Sequence, residues 1–271
     1  MADQVQVETS RAGANSRQLL RASGLSKRFG GVQALRDVSF SVDRGQIVGL
    51  IGPNGSGKST CVNLLSGNLP VSAGEVWLDG ELLTGKPIDA VVVKGLSRTF
   101  QSTQIFPEDT ALENVMLGCH TLFRQGLAKS VLRTASAKRE NLELVAHAER
   151  SLALVGLAER RDQIASTLSA AEQRLLMIAV ALASKPKVIL LDEPAAGMVA
   201  SERRALAGII RAMPSHGISV LVIEHHMGLI MEVCDRIVVL NFGQKIAEGT
   251  PAEIRNNQAV IDAYLGHRDH A

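Results

Sequence analysis

The feature that most constrains the fold of this chain is a glycine-rich segment of eight residues. Residues 52–59 read Gly-Pro-Asn-Gly-Ser-Gly-Lys-Ser, which fits the spacing G-x-x-x-x-G-K-[ST]. Because glycine has no Cβ, consecutive backbone amides in such a loop can point inward at phosphate groups. An apolar run over Gln46–Ile51 precedes the segment, and a helical pattern over Lys58–Leu65 follows it. The order strand, loop, helix predicts a phosphate-binding loop at the positive end of a helix dipole.

The loop and the first turn of the helix supply the residues predicted to bind the nucleotide. Lys58 is expected to reach the β- and γ-phosphates, and the hydroxyl of Ser59 is expected to ligate Mg²⁺. The full predicted set is Gly52, Pro53, Asn54, Gly55, Ser56, Gly57, Lys58, Ser59 and Thr60.

An acidic motif further along the chain agrees with this prediction. The apolar run Val188–Leu191 ends in two carboxylates, Asp192 and Glu193. Alone, such a pair is as consistent with a solvated strand end as with a site. Beside a phosphate loop, Asp192 is expected to hold the hydration shell of Mg²⁺, and Glu193 is expected to polarise the attacking water as the catalytic base.

The composition limits the class of protein. Hydrophobic residues make up 46% and aromatic residues only 3%, so the core must be aliphatic, as in an α/β protein with a buried parallel sheet. The net charge of +2 is too balanced to predict a nucleic-acid partner, and none is expected. Three scattered cysteines without a CxxC pattern argue against a zinc ribbon or a disulfide scaffold.

The patterning of the chain predicts one α/β domain with a helical insertion. Residues 1–18 are polar and lack the apolar stretch of a signal peptide, so they are expected to form a disordered tail. No apolar run reaches the roughly 18 residues of a membrane span, which predicts a cytoplasmic chain that meets the membrane through a partner. Short alternating stretches over 19–42 predict antiparallel strands. The folded domain is expected over 19–265, its helical subdomain over about 105–183, and a second tail over 266–271.

Six short motifs, in order, resemble those of the ATP-binding cassette (ABC) ATPases and cover about residues 19–265. Beside the two motifs above, Phe29 resembles the aromatic residue that stacks on adenine, although an ordinary core phenylalanine is the alternative. Gln101, within Arg-Thr-Phe-Gln, resembles the glutamine that touches Mg²⁺ and senses the membrane partner. The segment Leu168–Gln173 lies where the family has its Leu-Ser-Gly-Gly-Gln signature. His225 resembles the histidine that contacts the γ-phosphate as a second catalytic residue.

The resemblance implies a P-loop NTPase fold with an antiparallel β subdomain and a helical subdomain. It also implies a head-to-tail dimer in which each ATP lies between one phosphate loop and the signature of a second cassette, here Ser169 and Ala171. The expected partners are a second cassette, identical or different, transmembrane permease subunits and, indirectly, a periplasmic binding protein. The chain would then lie peripherally on the inner face of the cell membrane. A pair of metal-binding histidines, His225 and His226, is a weaker alternative for that motif.

A permease helix would dock near Gln101 in this family. Candidates for lining the groove are Phe106, Leu112 and Val115, with a place in the core as the alternative. The stretch 114–139 carries five basic residues and no acid, which suits either lipid headgroups or a solvated helix face.

Within the family, the chain is most similar to the ATPases of branched-chain amino acid importers. The markers are Arg98–Gln101, Asp192–Met198 and the C-terminal stretch from Cys234 to Gly266. The lipopolysaccharide-transport ATPases share a similar core and tail, so they remain an alternative.

Four residues depart from the family pattern, and one of them is His226, which replaces the acid that usually follows the histidine of the γ-phosphate. Ala171 stands where a glycine amide approaches the partner's ATP, so it is expected to add a Cβ in a narrow space and to restrict φ. Glu172 replaces a glutamine and is expected to repel the polyphosphate. Val199 replaces an acid or amide that forms contacts across the dimer.

These departures leave two hypotheses open: an active motor subunit, or a regulatory cassette that binds ATP while a partner hydrolyses it. A soluble ABC ATPase acting on DNA or ribosomes is a third and weaker hypothesis, since such chains generally carry large insertions or a second cassette.

Overall fold

Two β-sheets and a set of helices make up the part of the chain that the structure describes. The computed structural model describes residues 17–99, 105–119 and 135–265. The strands are β1 (Gln18–Phe29), β2 (Val32–Asp43), β3 (Ile47–Ile51), β4 (Ala73–Leu78), β5 (Glu81–Leu82), β6 (Leu96–Arg98), β7 (Val188–Asp192), β8 (Ser219–Ile223), β9 (Arg236–Asn241) and β10 (Gln244–Gly249). The α-helices are α1 (Lys58–Leu65), α2 (Ile88–Lys94), α3 (Ala111–Gly118), α4 (Ala135–Leu154), α5 (Ala170–Ala183), α6 (Ala200–Ala212), α7 (Met227–Val233), α8 (Pro251–Arg255) and α9 (Gln258–Leu265).

The smaller sheet is antiparallel, with the strand order β2-β1-β4-β5. The larger sheet has the order β10-β9-β3-β8-β7-β6, and its neighbours are parallel except for the hairpin of β9 and β10. This arrangement confirms the α/β fold with an antiparallel β subdomain that the sequence predicts. Strand β1 begins at Gln18, one residue inside the predicted tail.

The parallel sheet is buried on both faces, which explains why its strands are continuous apolar runs. Along β7, Val188 and Leu190 join the core beneath the antiparallel sheet and α1. Ile189 and Leu191 point to the opposite core, which the helices α3 to α9 cover. Each residue of β7 is therefore buried, whichever face its side chain takes.

The register of this sheet brings three strand ends together. Ile223, the last residue of β8, pairs with Leu50 of β3 and with Asp192 of β7. Because the three strands are parallel, the residues that follow each of them lie at the same edge of the sheet. The glycine loop after β3 and the acidic motif at the end of β7 therefore meet there, beside the loop after β8.

The helices α3, α4 and α5 pack against one another and carry the predicted helical subdomain. Thr110 begins α3 and Ser169 begins α5, each with a glutamate three residues later that completes a capping box. Within the described residues, no helix combines the length and the apolar character that crossing a bilayer requires.

Two parts of the fold differ from the sequence prediction. The short elements α2 and β6 are not predicted, because α2 buries only Val91 and β6 has three residues at the edge of the sheet. The apolar residues of Pro251–Leu265 predict one short helix, but that prediction is wrong, since α8 ends at Arg255 and α9 begins at Gln258. Asn257 separates them, because its side-chain oxygen accepts a hydrogen bond from the amide of Val260 at 3.3 Å.

Candidate nucleotide site

The glycine loop between β3 and α1 has the tight backbone that its sequence predicts. Gly52 has a φ of 153°, and a Cβ there would lie 2.1 Å from the carbonyl oxygen of Leu240. Gly57 caps α1 with a φ of 101°, and a Cβ there would lie 2.8 Å from the carbonyl oxygen of Ala34. Only glycine fits these two positions, because side chains clash at both and φ is positive.

Lys58 lies inside the loop. Its Nζ donates hydrogen bonds to the carbonyl oxygens of Gly52 and Pro53, at 2.7 and 2.9 Å. Burial lowers the pKa of this amine, while the nearby carboxylates of Glu193 and Asp192 oppose the shift. The loop therefore holds a cation close to both acids of the second motif.

Asp192 is buried at the end of β7, and only one of its two carboxylate oxygens has a hydrogen-bond partner among the described residues. Its Oδ2 accepts a hydrogen bond from Arg98 Nη2 at 2.8 Å. Its Oδ1 is buried without a hydrogen-bond partner among the described residues. An unsatisfied buried carboxylate oxygen beside a phosphate loop fits a hard cation such as Mg²⁺, which prefers oxygen ligands.

Glu193 and His225 lie on two neighbouring loops at this edge of the sheet. Glu193 has a φ of 49°, an uncommon conformation for a residue other than glycine, and its amide donates to the carbonyl of Ile223 at 2.8 Å. His225 Nδ1 lies 3.9 Å from Glu193 Oε1. The two predicted catalytic side chains are thus neighbours, and the His225 side chain is 63% exposed.

Phe29 ends β1 with 46% of its surface exposed, so the alternative of an ordinary core phenylalanine is wrong. Lys27 Nζ lies 5.2 Å from the centroid of its ring. Gln101 lies outside the described residues, as do residues 1–16, 266–271 and most of the basic stretch 114–139. Among the groove candidates, Leu112 and Val115 are buried in the core, whereas Phe106 is exposed.

The altered signature begins a regular helix. Ser169 is exposed and accepts a hydrogen bond from the amide of Glu172 at 3.2 Å, which leaves its hydroxyl proton available. Ala171 is the second residue of α5 and has no positive φ. The expected restriction of φ is therefore wrong, because an alanine adopts the right-handed helix freely.

Glu172 uses both carboxylate oxygens within its own segment. Oε2 accepts from the amide of Ser169 at 2.9 Å, and Oε1 accepts from Arg160 Nε at 3.1 Å. These hydrogen bonds lower the pKa of Glu172 below its ordinary value. The carboxylate is engaged by the helix start, a capping role that its position three residues after Ser169 could have indicated.

Sequence reasoning did not place Arg98 or Glu224 at the site. Arg98 pairs with Asp192, and Glu224 lies beside His225 with a buried carboxylate. Arg98 lies within β6 and has no local signal, whereas Glu224 directly follows the apolar strand β8, where a buried charge requires a partner.

Comparisons with known proteins agree with this geometry. A family model described as ABC transporter matches residues 35–196, and one described as branched-chain amino acid ATP-binding cassette transporter matches residues 244–270. The chain is 40% identical to the high-affinity branched-chain amino acid transport ATP-binding proteins BraF of Pseudomonas aeruginosa and LivG of Escherichia coli. Each alignment covers 93% of this chain and 99% of the relative.

Among solved structures, the chain is similar to an ATP-binding cassette of an ABC transporter in its ADP conformation. The TM-score is 0.80 at 32% sequence identity, over 92% of this chain and 99% of that chain. A phosphate loop, an acidic strand end and an adjacent histidine loop are thus found in a chain that matches these relatives almost from end to end. The chain belongs to the ABC transporter family, as one of its ATP-binding and ATP-hydrolysing cassettes.

Proposed function

We propose that this chain is the motor subunit of an importer for branched-chain amino acids. The proposal of this cargo rests on the relatives, whose names specify branched-chain amino acid transport, and on the C-terminal match over residues 244–270. The cassette itself need not touch an amino acid. Its part is to convert ATP binding and hydrolysis into movement of permease subunits.

The observation that carries the proposed chemistry is the convergence of four side chains at one sheet edge. Lys58 lies near the carboxylates of Asp192 and Glu193, and Glu193 lies 3.9 Å from the ring of His225. Lys58 would bind the β- and γ-phosphates, Glu193 would orient the attacking water and accept its proton, and His225 would contact the γ-phosphate. Phe29 offers an exposed ring for the adenine.

The residues present fit a magnesium ion. Asp192 offers its open Oδ1, and Ser59 offers an exposed hydroxyl in the first turn of α1. Gln101 completes the proposed set from outside the described residues. When bound, Mg²⁺ offsets the negative charge of the phosphates.

We further propose that the cassette works as a dimer on the cytoplasmic face of the membrane. A second cassette would contribute its Ser169 segment to the nucleotide bound here, while Phe106 would contact a permease. Phe106 is exposed, and Asn114 fixes its backbone by accepting from its amide at 2.7 Å and donating to its carbonyl at 3.0 Å. A periplasmic binding protein would act through the permease alone.

The test of this proposal is steady-state hydrolysis of ATP in the presence of Mg²⁺ across a range of protein concentrations. We expect a rate per chain that rises with concentration and falls by about 10²–10⁴-fold in Glu193→Gln, because the general base is lost. Glu232→Gln is the matched control, since Glu232 pairs with Arg211 on the exposed side of α7. Activity in Glu193→Gln equal to that of the wild type would contradict the proposal.

A regulatory cassette is the second candidate, and the altered segments favour it. Ala171 and Glu172 lie in the segment that is expected to meet a partner's nucleotide, and Val199 lies where the family forms contacts across the dimer. This candidate predicts tight ATP binding without turnover by the chain alone, and turnover after a different cassette is added.

A further inference from the structure

Glu224 is a buried carboxylate at the centre of the candidate site. It directly follows β8 and is 1% exposed. Within the described residues, no lysine or arginine forms an ion pair with it, and the His225 ring nitrogen at 3.9 Å is its nearest basic group. A buried charge without a cation must be stabilised by hydrogen bonds, so its donors reveal its role.

Three backbone amides supply those hydrogen bonds, and they come from two different loops. Oε1 of Glu224 accepts from the amide of Ala195 at 2.8 Å. Oε2 accepts from the amides of His225 and His226, at 3.1 and 3.2 Å. One side chain therefore connects the loop after β7 to the loop after β8.

The same two loops carry the candidate catalytic residues. Glu193 lies two residues before Ala195, and its own amide donates to Ile223, the residue before Glu224. The backbone hydrogen bond from Glu193 to Ile223 and the hydrogen bonds accepted by Glu224 together form a closed ring of contacts that joins the two loops. His225 Nδ1 lies within this arrangement, 3.9 Å from Glu193 Oε1 and 3.9 Å from Glu224 Oε2.

From this ring we infer that Glu224 is a positioning residue that fixes Glu193 and His225 relative to each other. The inference rests on the proposed function for its effect on turnover. Both oxygens of Glu224 accept hydrogen bonds from the amides of the two loops, so the role assigned to it is positioning and not contact with the nucleotide. Its contribution is the preorganisation of two side chains whose backbones would otherwise move independently.

A carboxylate is required here rather than any polar side chain of similar shape. In Glu224→Gln, the oxygen of the amide can accept from one loop only. Its NH₂ group then faces backbone N–H groups of the other loop, which places donor against donor. In Glu224→Asp, the charge remains but the side chain is shorter by one methylene, so it cannot span both loops as well.

The experiment compares Glu224→Gln and Glu224→Asp with the wild type. It measures kcat, the Kd of ATP by equilibrium binding and the melting temperature of each chain. We expect kcat to fall at least about tenfold in Glu224→Gln and less in Glu224→Asp, because misplaced catalytic groups slow turnover. The Kd of ATP should stay within about threefold, since the phosphate loop lies on β3 and α1.

The matched control is Glu253→Gln. Glu253 also accepts from a backbone amide, that of Thr250 at 2.7 Å, but it caps α8, which packs on β9, β10 and α9. Its kcat should match that of the wild type. A wild-type kcat in Glu224→Gln would overturn the inference, and so would a loss of ATP binding in both Glu224 variants, which would make Glu224 a folding residue.

A separate measurement distinguishes this inference from the proposed function. If the wild type hydrolyses ATP no faster than Glu193→Gln, the proposed motor activity fails by itself. Hydrogen exchange at the amides of Ala195, His225 and His226 then tests the positioning role of Glu224 independently of turnover. Faster exchange at these amides in Glu224→Gln supports the connection between the loops, and unchanged exchange overturns it.

Discussion

At the scale of single residues, Arg98 and Asp192 form a buried ion pair beneath the candidate site. The two side chains are 9% and 2% exposed. Arg98 also donates to Asn63 Oδ1 at 2.6 Å and to Ser66 Oγ at 3.3 Å, which anchors the guanidinium to α1 and the residue after it. Additional hydrogen bonds of this kind offset part of the desolvation cost of a buried ion pair. Arg98 holds Oδ2 of Asp192 in place, while Oδ1 has no hydrogen-bond partner among the described residues.

Replacing Arg98 with methionine should strongly destabilise the protein. The change leaves the Asp192 carboxylate buried without its cation, and such losses cost about 3–5 kcal/mol. Urea unfolding measures this difference. Arg44→Met is the control, because Arg44 pairs with Asp79 at the exposed surface, where an ion pair contributes about 0–1 kcal/mol. Equal losses in the two variants would show that burial of the Arg98 pair has no special cost.

The difference between Lys58 and Arg98 shows which site residues a sequence can reveal. Lys58 belongs to a local motif, since the glycines that make its loop possible are its neighbours in the chain. Arg98 reaches Asp192 only because β6 pairs with β7 in parallel register, across more than ninety residues of chain. Nothing local distinguishes it from a surface arginine. Glu224 directly follows an apolar run, but its partner Ala195 is on the loop of another strand, so the sequence does not reveal the contact.

At the scale of secondary-structure elements, three helices begin with the same capping pattern and a fourth shows half of it. Thr110, Ser169 and Thr250 each cap a helix and have a glutamate three residues later. Val199 occupies the same position before α6, and Glu202 accepts from its amide at 2.8 Å, but valine has no side-chain acceptor. Half of the capping arrangement is therefore missing at Val199, which is 59% exposed.

Val199→Asn should stabilise the chain. The backbone at Val199 already has the extended conformation of a helix cap, with φ of −76° and ψ of 169°. An asparagine oxygen there can accept from the first turn of α6, a gain of about 1 kcal/mol. Urea unfolding tests this gain, with Val199→Ala as the control that adds no acceptor. A stability of Val199→Asn no higher than that of Val199→Ala would contradict the prediction.

The elements predicted from the sequence are those with a strong local pattern. Helix α1 has the predicted bounds, and β7 follows from a continuous apolar run. Strand β6 has only three residues and gains its hydrogen bonds from β7, so pairing rather than periodicity creates it. The effect of Ala171 on the backbone was misjudged for a different reason. Comparison with the family glycine led to an expected restriction of φ at Ala171, whereas Ser169 caps a regular helix in which alanine is readily accommodated.

At the scale of the whole molecule, the edge of the sheet that carries Glu193 and His225 is more exposed to solvent than phosphoryl transfer favours. The side chains of His225 and Glu193 are 63% and 31% exposed. Electrostatic stabilisation of a transferring phosphoryl group is strong only where water is excluded and the local dielectric constant is low. One chain does not supply that enclosure in its described part. A second surface closing over the nucleotide would, and ATP itself would hold the two surfaces together.

ATP should therefore make the hydrolysis-deficient Glu193→Gln chain dimerise. Light scattering should give one chain per particle without nucleotide and two with ATP and Mg²⁺, because the bound triphosphate persists and joins both surfaces. Lys58→Ala is the control, since it removes the amine at the centre of the phosphate loop and should stay monomeric. If ATP binds to Glu193→Gln without dimerisation, the hypothesis that two copies of this cassette form the dimer is wrong. If a different cassette then forms a dimer with this chain in the presence of ATP, the altered signature at Leu168–Gln173 functions in a heterodimer.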